Sequence, residues 1–215
     1  MYSRLLLAAL AAFPLHAWAT SPREDANTLS NTALPPPDSI NHSGPWYRPH
    51  HVLAQTGGGL GMVAVGGGYA FWKNRTEADV LVGYVPKKYA GSTLTLISVK
   101  LLYSPWQVPL GQKWAIKPLT VGAYYSHSYG VINAGERGQY TKGYYWFSRK
   151  DRVGPILGSR LSYVLPPTAT GRPRSISGYY ELGSNDLYLI SYVQNTKALA
   201  PADILTLSLG VKLEF

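Results

Sequence analysis

Residues 205–215 read LTLSLGVKLEF, and the alternation in them is unbroken. Leu205, Leu207, Leu209, Val211, Leu213 and Phe215 are apolar, whereas Thr206, Ser208, Gly210, Lys212 and Glu214 are polar or small. A strand backbone turns its side chains to opposite faces in strict succession, so this stretch has one oily face and one wet face. Such a strand needs hydrogen-bonding neighbours along its edges and an apolar environment for one side. Any fold assigned to the chain must supply both.

The opening residues narrow the choice of environment. MYSRLLLAALAAFPLHAWAT carries Arg4, then an apolar run from Leu5 to Phe13, then Ala17-Trp18-Ala19. This is the layout of a secretory signal peptide over residues 1–19, cleaved after Ala19. The run is shorter than the roughly 20 apolar residues of a membrane-spanning helix, and no later stretch approaches about 18. Removing the segment takes away Arg4 and no acid, so 20 basic residues against 11 acidic become 19 against 11, a net charge of +8. The chain has no cysteine, so an exported product relies on neither disulfides nor a lipidated N-terminal cysteine. Only 14% of residues are charged, against a usual value of about a quarter. Tyrosine (17) and tryptophan (6) are abundant, and these side chains settle at membrane–water interfaces. An exported chain with these features points to a membrane β-barrel.

Residues 20–51 show neither helical nor strand period and contain Pro35, Pro36 and Pro37. They read as a flexible, Pro-rich N-terminal arm. His42, His50 and His51 lie there and are expected to be solvated rather than metal-bound. From 52 to 215 the pattern becomes strand-like, with eight candidates: the glycine-rich 52–73, then 77–86, 92–106, 114–130, 152–165, 175–182, 186–195 and 205–215. Gly, Pro, Asn, Asp and Ser clusters separate them. The glycines of HVLAQTGGGLGMVAVGGGYAFW read as points of curvature in a barrel wall. No Gly-Lys-Ser/Thr and no following helix support a phosphate cradle. The expectation is an all-β, eight-stranded, antiparallel, up-and-down transmembrane barrel. With eight strands and both termini at one end, the segment 130–151 becomes the fourth connection, at the end where outer-membrane barrels keep turns short. Either Tyr144–Phe147 extend the neighbouring strands, or the count is off by one; the first is expected, because GYYWFS is a strong β sequence.

The ending resembles a known signal. Leu207, Leu209, Val211, Leu213 and Phe215 occupy every second position back from the terminus, as in bacterial outer-membrane barrel proteins. That resemblance implies recognition by the barrel assembly machinery and residence in the outer membrane of a Gram-negative bacterium. It extends, through GYVPKKYAGSTLTL, GYYWFSRKDR and YYELGSNDLYLISYVQN, to a smaller group of eight-stranded members for which it implies no activity.

On this pattern Glu77, Asp79, Lys100, Arg160, Glu181, Lys212 and Glu214 face inward. Eight strands leave an interior filled by side chains, so mixed charges there read as a polar plug of paired groups rather than a channel. Lipid A deacylases place a Ser–His pair with an acid on a small barrel. Here the strand region offers His127 in YYSHSYG, with Ser128 or Ser162 as a nucleophile and Glu136 or Glu181 as an orienting acid. The match is poor, because a serine adjacent to His127 points to the opposite face and the deacylase spacing of one intervening residue is absent. The expected role is therefore non-enzymatic, structural or surface-interacting, with a lipid A acyl-modifying enzyme and an exported soluble lipocalin-like barrel as alternatives. No cofactor, metal or nucleic acid is implied, and the protein is expected to be a monomer. The basic stretches RGQYTKGYYWFSRKDR and TGRPRS, the latter with Arg172 and Arg174, are candidates for contact with lipopolysaccharide phosphates.

Overall fold

The computed structural model describes residues 48–131, 150–168, 172–196 and 198–215. Residues 1–47, on which the expected signal peptide and most of the expected arm (with His42) fall, lie outside them, as do Glu136 and Tyr144–Phe147. The described strands are β1 (His51–Gly57), β2 (Val63–Phe71), β3 (Thr76–Val85), β4 (Leu94–Tyr103), β5 (Val108–Leu110), β6 (Trp114–Tyr129), β7 (Asp151–Leu165), β8 (Arg174–Gly183) and β9 (Thr206–Glu214). Two helices, α1 (Lys87–Ala90) and α2 (Asp186–Gln194), and a 3-10 turn at Pro201–Ile204 lie between strands.

Eight of these strands form one closed antiparallel barrel. Each pairs with the next in order, β4 pairs with β6, and β1 closes the ring on β9 from His51↔Glu214 to Gly57↔Ser208. β5 pairs with β6 alone and extends that strand as a short hairpin. Closure leaves no wall strand with an unpaired edge.

The number of wall strands agrees with the expected eight, but two of the assignments behind it do not. The glycine-rich segment 52–73 is two strands, not one. Gly57, Gly58, Gly59 and Gly61 all have positive φ, between 72° and 126°, a backbone region open to glycine at no steric cost. They make a turn rather than a curve in one strand. The segment 186–195 is not a strand but helix α2. Asn185 caps it, its side chain accepting from Tyr188 N at 2.9 Å, and Asp186 sits in the first turn, as helix starts favour.

These corrections remove the misplaced long loop. Counted through the wall strands, β6 to β7 is the fifth connection and β8 to β9 the seventh, so Tyr129 and Asp151, like Gly183 and Thr206, lie at the end opposite the start of β1 and the end of β9. The connections 72–75 and 104–113, and Leu165 and Arg174 on either side of the β7–β8 link, lie at the same end as those two strand termini. That end is called the terminal end below. His51 is the first residue of β1 rather than the last of an arm, and Phe215 N donates to His50 O at 3.1 Å.

The barrel is apolar outside and charged inside. Val65, Val80, Val82, Ile97, Val99, Leu101, Leu157 and Leu161 are exposed on the outer wall, as are Leu207, Leu209, Val211 and Leu213. Phe71, Trp72, Tyr103, Trp106 and Trp114 are exposed toward the terminal end, and Tyr84, Tyr89, Tyr125, Tyr129 and Tyr188 toward the other. On β3, Thr76 lies opposite Tyr103 and Tyr84 opposite Thr95. The eight residue steps from Thr76 to Tyr84 span roughly 26 Å of strand, or about 20 Å of height at a tilt of about 40°.

Candidate functional site

The charged groups converge in the terminal half of the barrel interior, on Glu77 of β3. Arg160 of β7 donates from Nη1 to Oε1 at 2.6 Å and from Nη2 to Oε2 at 2.7 Å. Lys117 of β6 donates to Oε1 at 3.1 Å, and Lys212 of β9 donates to Oε2. One carboxylate thus holds three cations from three strands. Arg160 also reaches Glu214 at 3.3 Å, whose other oxygen accepts from Ser175 at 2.7 Å. Lys212 continues to Asp79 at 3.1 Å, and Asp79 meets His51 Nε2 at 2.6 Å.

A second group sits farther from the terminal end. Lys100 donates to both oxygens of Glu181, at 3.0 and 2.9 Å, and to Gln55 Oε1 at 2.9 Å. Its ammonium lies 5.3 Å from the centre of the Tyr179 ring, and the Tyr179 hydroxyl donates to the same Gln55 oxygen at 3.1 Å. Lys100 and Asp79 are fully buried, at 0% exposure. Burying a charge in such a place is costly unless partners and hydrogen bonds replace water, and here each charge has them.

Two glycines make this packing possible. A Cβ on Gly68 would collide with the Asp79 carboxylate and lie 2.7 Å from His51 Nε2. A Cβ on Gly210 would occupy the volume of the Tyr179 ring, which lies over that position.

All seven residues expected inside are placed there. Glu77, Asp79, Lys100, Arg160, Glu181 and Lys212 are buried, and Glu214 is partly exposed at the terminal end. Lys117 and His51 belong to the same cluster but lie outside the sequence-based selection. Lys117 is hidden by a register shift between Lys117 and Thr120. Counting back in twos from the inward Thr120 places Lys117 outside, whereas the structure buries it. Pro118 is the available signal, since proline within a strand marks an edge or a bulge. His51 is hidden by its assignment to the arm. It is buried, and neighbouring His50 accepts from Ala70 N at 3.1 Å, so the solvated reading of these two histidines is corrected.

His51, Glu77 and Asp79 bring three potential metal-ligand atoms within 4.8 Å of one another. The Lys212 ammonium already contacts both carboxylates and takes the place a cation would fill.

Among the described residues, which exclude Glu136, the histidine–serine–acid arrangement is not assembled. His127 is partly exposed on the outer face, where Nδ1 meets Asp151 Oδ1 at 2.6 Å, and the Tyr125 hydroxyl donates to the same oxygen at 2.6 Å. Ser128 follows on the opposite parity of the strand. Glu181 faces the interior on Lys100, opposite Gly158 of β7, seven positions from Asp151, the partner of His127. That separation is roughly 23 Å of strand. Ser162 also faces inward and accepts from Ser177 at 2.8 Å.

Fold and interior together define the class: a closed eight-stranded antiparallel β-barrel with ion-paired charges inside and an apolar outer wall. The chain matches no protein-family model, no curated protein and no solved structure.

Proposed function

We propose that the protein is an integral outer-membrane barrel of a Gram-negative envelope with a structural or surface-interaction role and no catalysis. The observation that carries this reading is the inversion of polarity across the wall. A soluble lipocalin-like barrel would bury its apolar faces inward, whereas here Lys100, Lys212, Glu77 and Asp79 fill the interior and aliphatic side chains cover the outside. In a bilayer every backbone amide must be satisfied within the wall, which closure through β1 and β9 achieves. The apolar belt of about 20 Å between two aromatic levels suits the roughly 25 Å band of outer-membrane barrels. The ion-paired interior acts as a plug, stiffening the wall from within. The alternating apolar face of Leu207, Leu209, Val211 and Leu213 on β9, continued in step by Phe215, supports recognition by the barrel assembly machinery.

Such barrels keep short turns in the periplasm and long connections outside. By that rule the terminal end faces the periplasm, and the end where β6 meets β7 and β8 meets β9 faces the cell surface. Arg172 and Arg174 then lie on the wrong side for lipopolysaccharide, since the β7–β8 link is at the terminal end. The residues suited to its phosphates are Lys87 and Lys88 of α1 and Lys150 and Arg152 at the start of β7. Extraction by detergent but not by alkaline carbonate, together with heat-modifiable gel migration, tests the membrane reading. Release by carbonate overturns it.

A further inference from the structure

The terminal end carries a feature that the plug does not use. The β2–β3 turn contains three consecutive residues other than glycine with left-handed backbone: Trp72 (φ 49°), Lys73 (φ 57°) and Asn74 (φ 61°). This conformation is disfavoured for side-chain-bearing residues, and runs of it persist only where surroundings enforce it. The surroundings are visible. Lys117 Nζ donates to Asn74 O at 2.6 Å, Arg75 N to Trp72 O at 3.3 Å, and Ser104 N to Arg75 O at 2.7 Å.

The turn so held lines a cavity of about 120 Å³ formed by Lys73, Asn74, Arg75, Ser104, Gln107 and Lys117. Three of these six are cations and none is an acid; Lys117 is already held by Glu77 and Asn74 O, so Lys73 and Arg75 carry the recess's charge, and Ser104, Asn74 and Gln107 offer neutral polar atoms. Among the described residues no carboxylate pairs with Lys73 or Arg75. A second, more open cavity of about 410 Å³ shares Lys73 and Arg75 and is walled by Trp72 and Tyr103. Trp72 is 78% exposed and Tyr103 belongs to the outer aromatic level. Lys73 and Arg75 therefore stand between a small polar recess and an aromatic surface on the outer wall.

We propose that this recess binds a phosphate-bearing group, and that its occupant is the headgroup of a phospholipid whose glycerol and acyl part lies along Trp72 and Tyr103. A guanidinium and an ammonium are the side chains that bind phosphate through charge-assisted hydrogen bonds, the first as a planar fork and the second as a point charge. The aromatic wall favours a lipid over free phosphate, because an indole and a phenol suit the boundary between headgroup and hydrocarbon. The lipid source rests on the reading of the outer wall as membrane-embedded, whereas the phosphate chemistry does not.

The test uses the full exported chain, extracted in a nonionic detergent and shown to be folded by heat-modifiable migration. Native mass spectrometry is run with added phosphatidylglycerol, alone and in competition with inorganic phosphate. The wild type retains one lipid per chain, and the double variant Lys73→Gln/Arg75→Gln, folded by the same criterion, loses about tenfold or more of that retention, as removal of two charge-assisted contacts implies. A control that removes two cations at the same end but outside the recess, Lys113→Gln/Arg172→Gln, retains lipid as the wild type does. Equal retention by the Lys73/Arg75 variant and the wild type overturns the proposal. Displacement of the lipid by equimolar phosphate overturns the lipid source and leaves a free-phosphate site. Failure of the membrane reading shows separately, as release in the carbonate wash.

Discussion

Arg160 and Glu77 face each other across the barrel rather than along it: their strands, β7 and β3, are not neighbours, yet the guanidinium grips both carboxylate oxygens at 2.6 and 2.7 Å. This bidentate pair ties two sides of the wall through its interior. Lys117 and Lys212 complete the set around the same carboxylate, so Glu77 is the acid that these three buried cations share, with Glu214 also on Arg160 and Asp79 also on Lys212.

Removing Glu77 should therefore cost more than removing any one cation. Glu77→Gln leaves Arg160, Lys117 and Lys212 buried around a neutral amide. The expected loss is about 3–5 kcal/mol, the usual result of stripping one partner from a buried ion pair. A urea titration of the vesicle-folded protein, followed by the heat-modifiable gel band, measures it. Glu77→Leu combined with Arg160→Met should cost less than the sum of the two single changes, because neighbours in one network are not additive.

Gly68 and Gly178 make a paired test of interior packing. Alanine at 68 meets the His51–Asp79 pair, whereas a Cβ at Gly178 meets nothing within 4 Å. Gly68→Ala is expected to lose about 1–3 kcal/mol, as overpacking generally does. Gly178→Ala should stay within about 0.5 kcal/mol of the wild type. Equal effects from the two substitutions would mean that the His51–Asp79 contact does not constrain β2.

The outer wall can be probed with a single charge. Val82 is half exposed and lies midway along β3, between Val65 and Ile97. In a bilayer, Val82→Arg should destabilise the barrel by about 2–4 kcal/mol. On a water-facing surface the same change would stay within about 0.5 kcal/mol. Comparing the unfolding free energy in vesicles for Val82→Arg and the wild type decides between the two environments.

His127 should be dispensable for any chemistry on lipid A. Its imidazole is held by Asp151 on the outer face, while Glu181 is committed to Lys100 inside. Mass spectra of lipid A from cells expressing the wild type and His127→Ala, both confirmed as folded, are expected to be identical. An acyl chain gained or lost in one and not the other would return His127 to the role of a catalytic base.

Much of the barrel is legible in the chain, and the places where reading fails share a cause. Alternation in 77–86 and 205–215 assigns Glu77, Asp79 and Lys212 to one face without reference to anything else. It fails at Lys117, because the register shift beside Pro118 breaks the count of two. It fails at 186–195, where residues are apolar on both faces and no period is present to read, although Ser184-Asn185-Asp186 is a recognisable helix start. In 52–73 it fails because glycine serves equally a bent strand and a turn, and the backbone's path through Gly57–Gly61 depends on β2 folding back to pair with β1.

What the amino-acid sequence determined by itself is local: which side chains share a face, because a strand's side-chain period is a property of its own backbone. Which charge meets which was decided only by the tertiary structure. Glu77 and Arg160 are 83 residues apart, and Glu77 and Lys212 are 135 apart. Nothing in either neighbourhood specifies the other until closure of β1 on β9 and β4 on β6 fixes register and brings opposite walls within reach of one carboxylate. The same closure sets the burial that makes each unpaired charge costly, so the pairing and its energetic weight arise together.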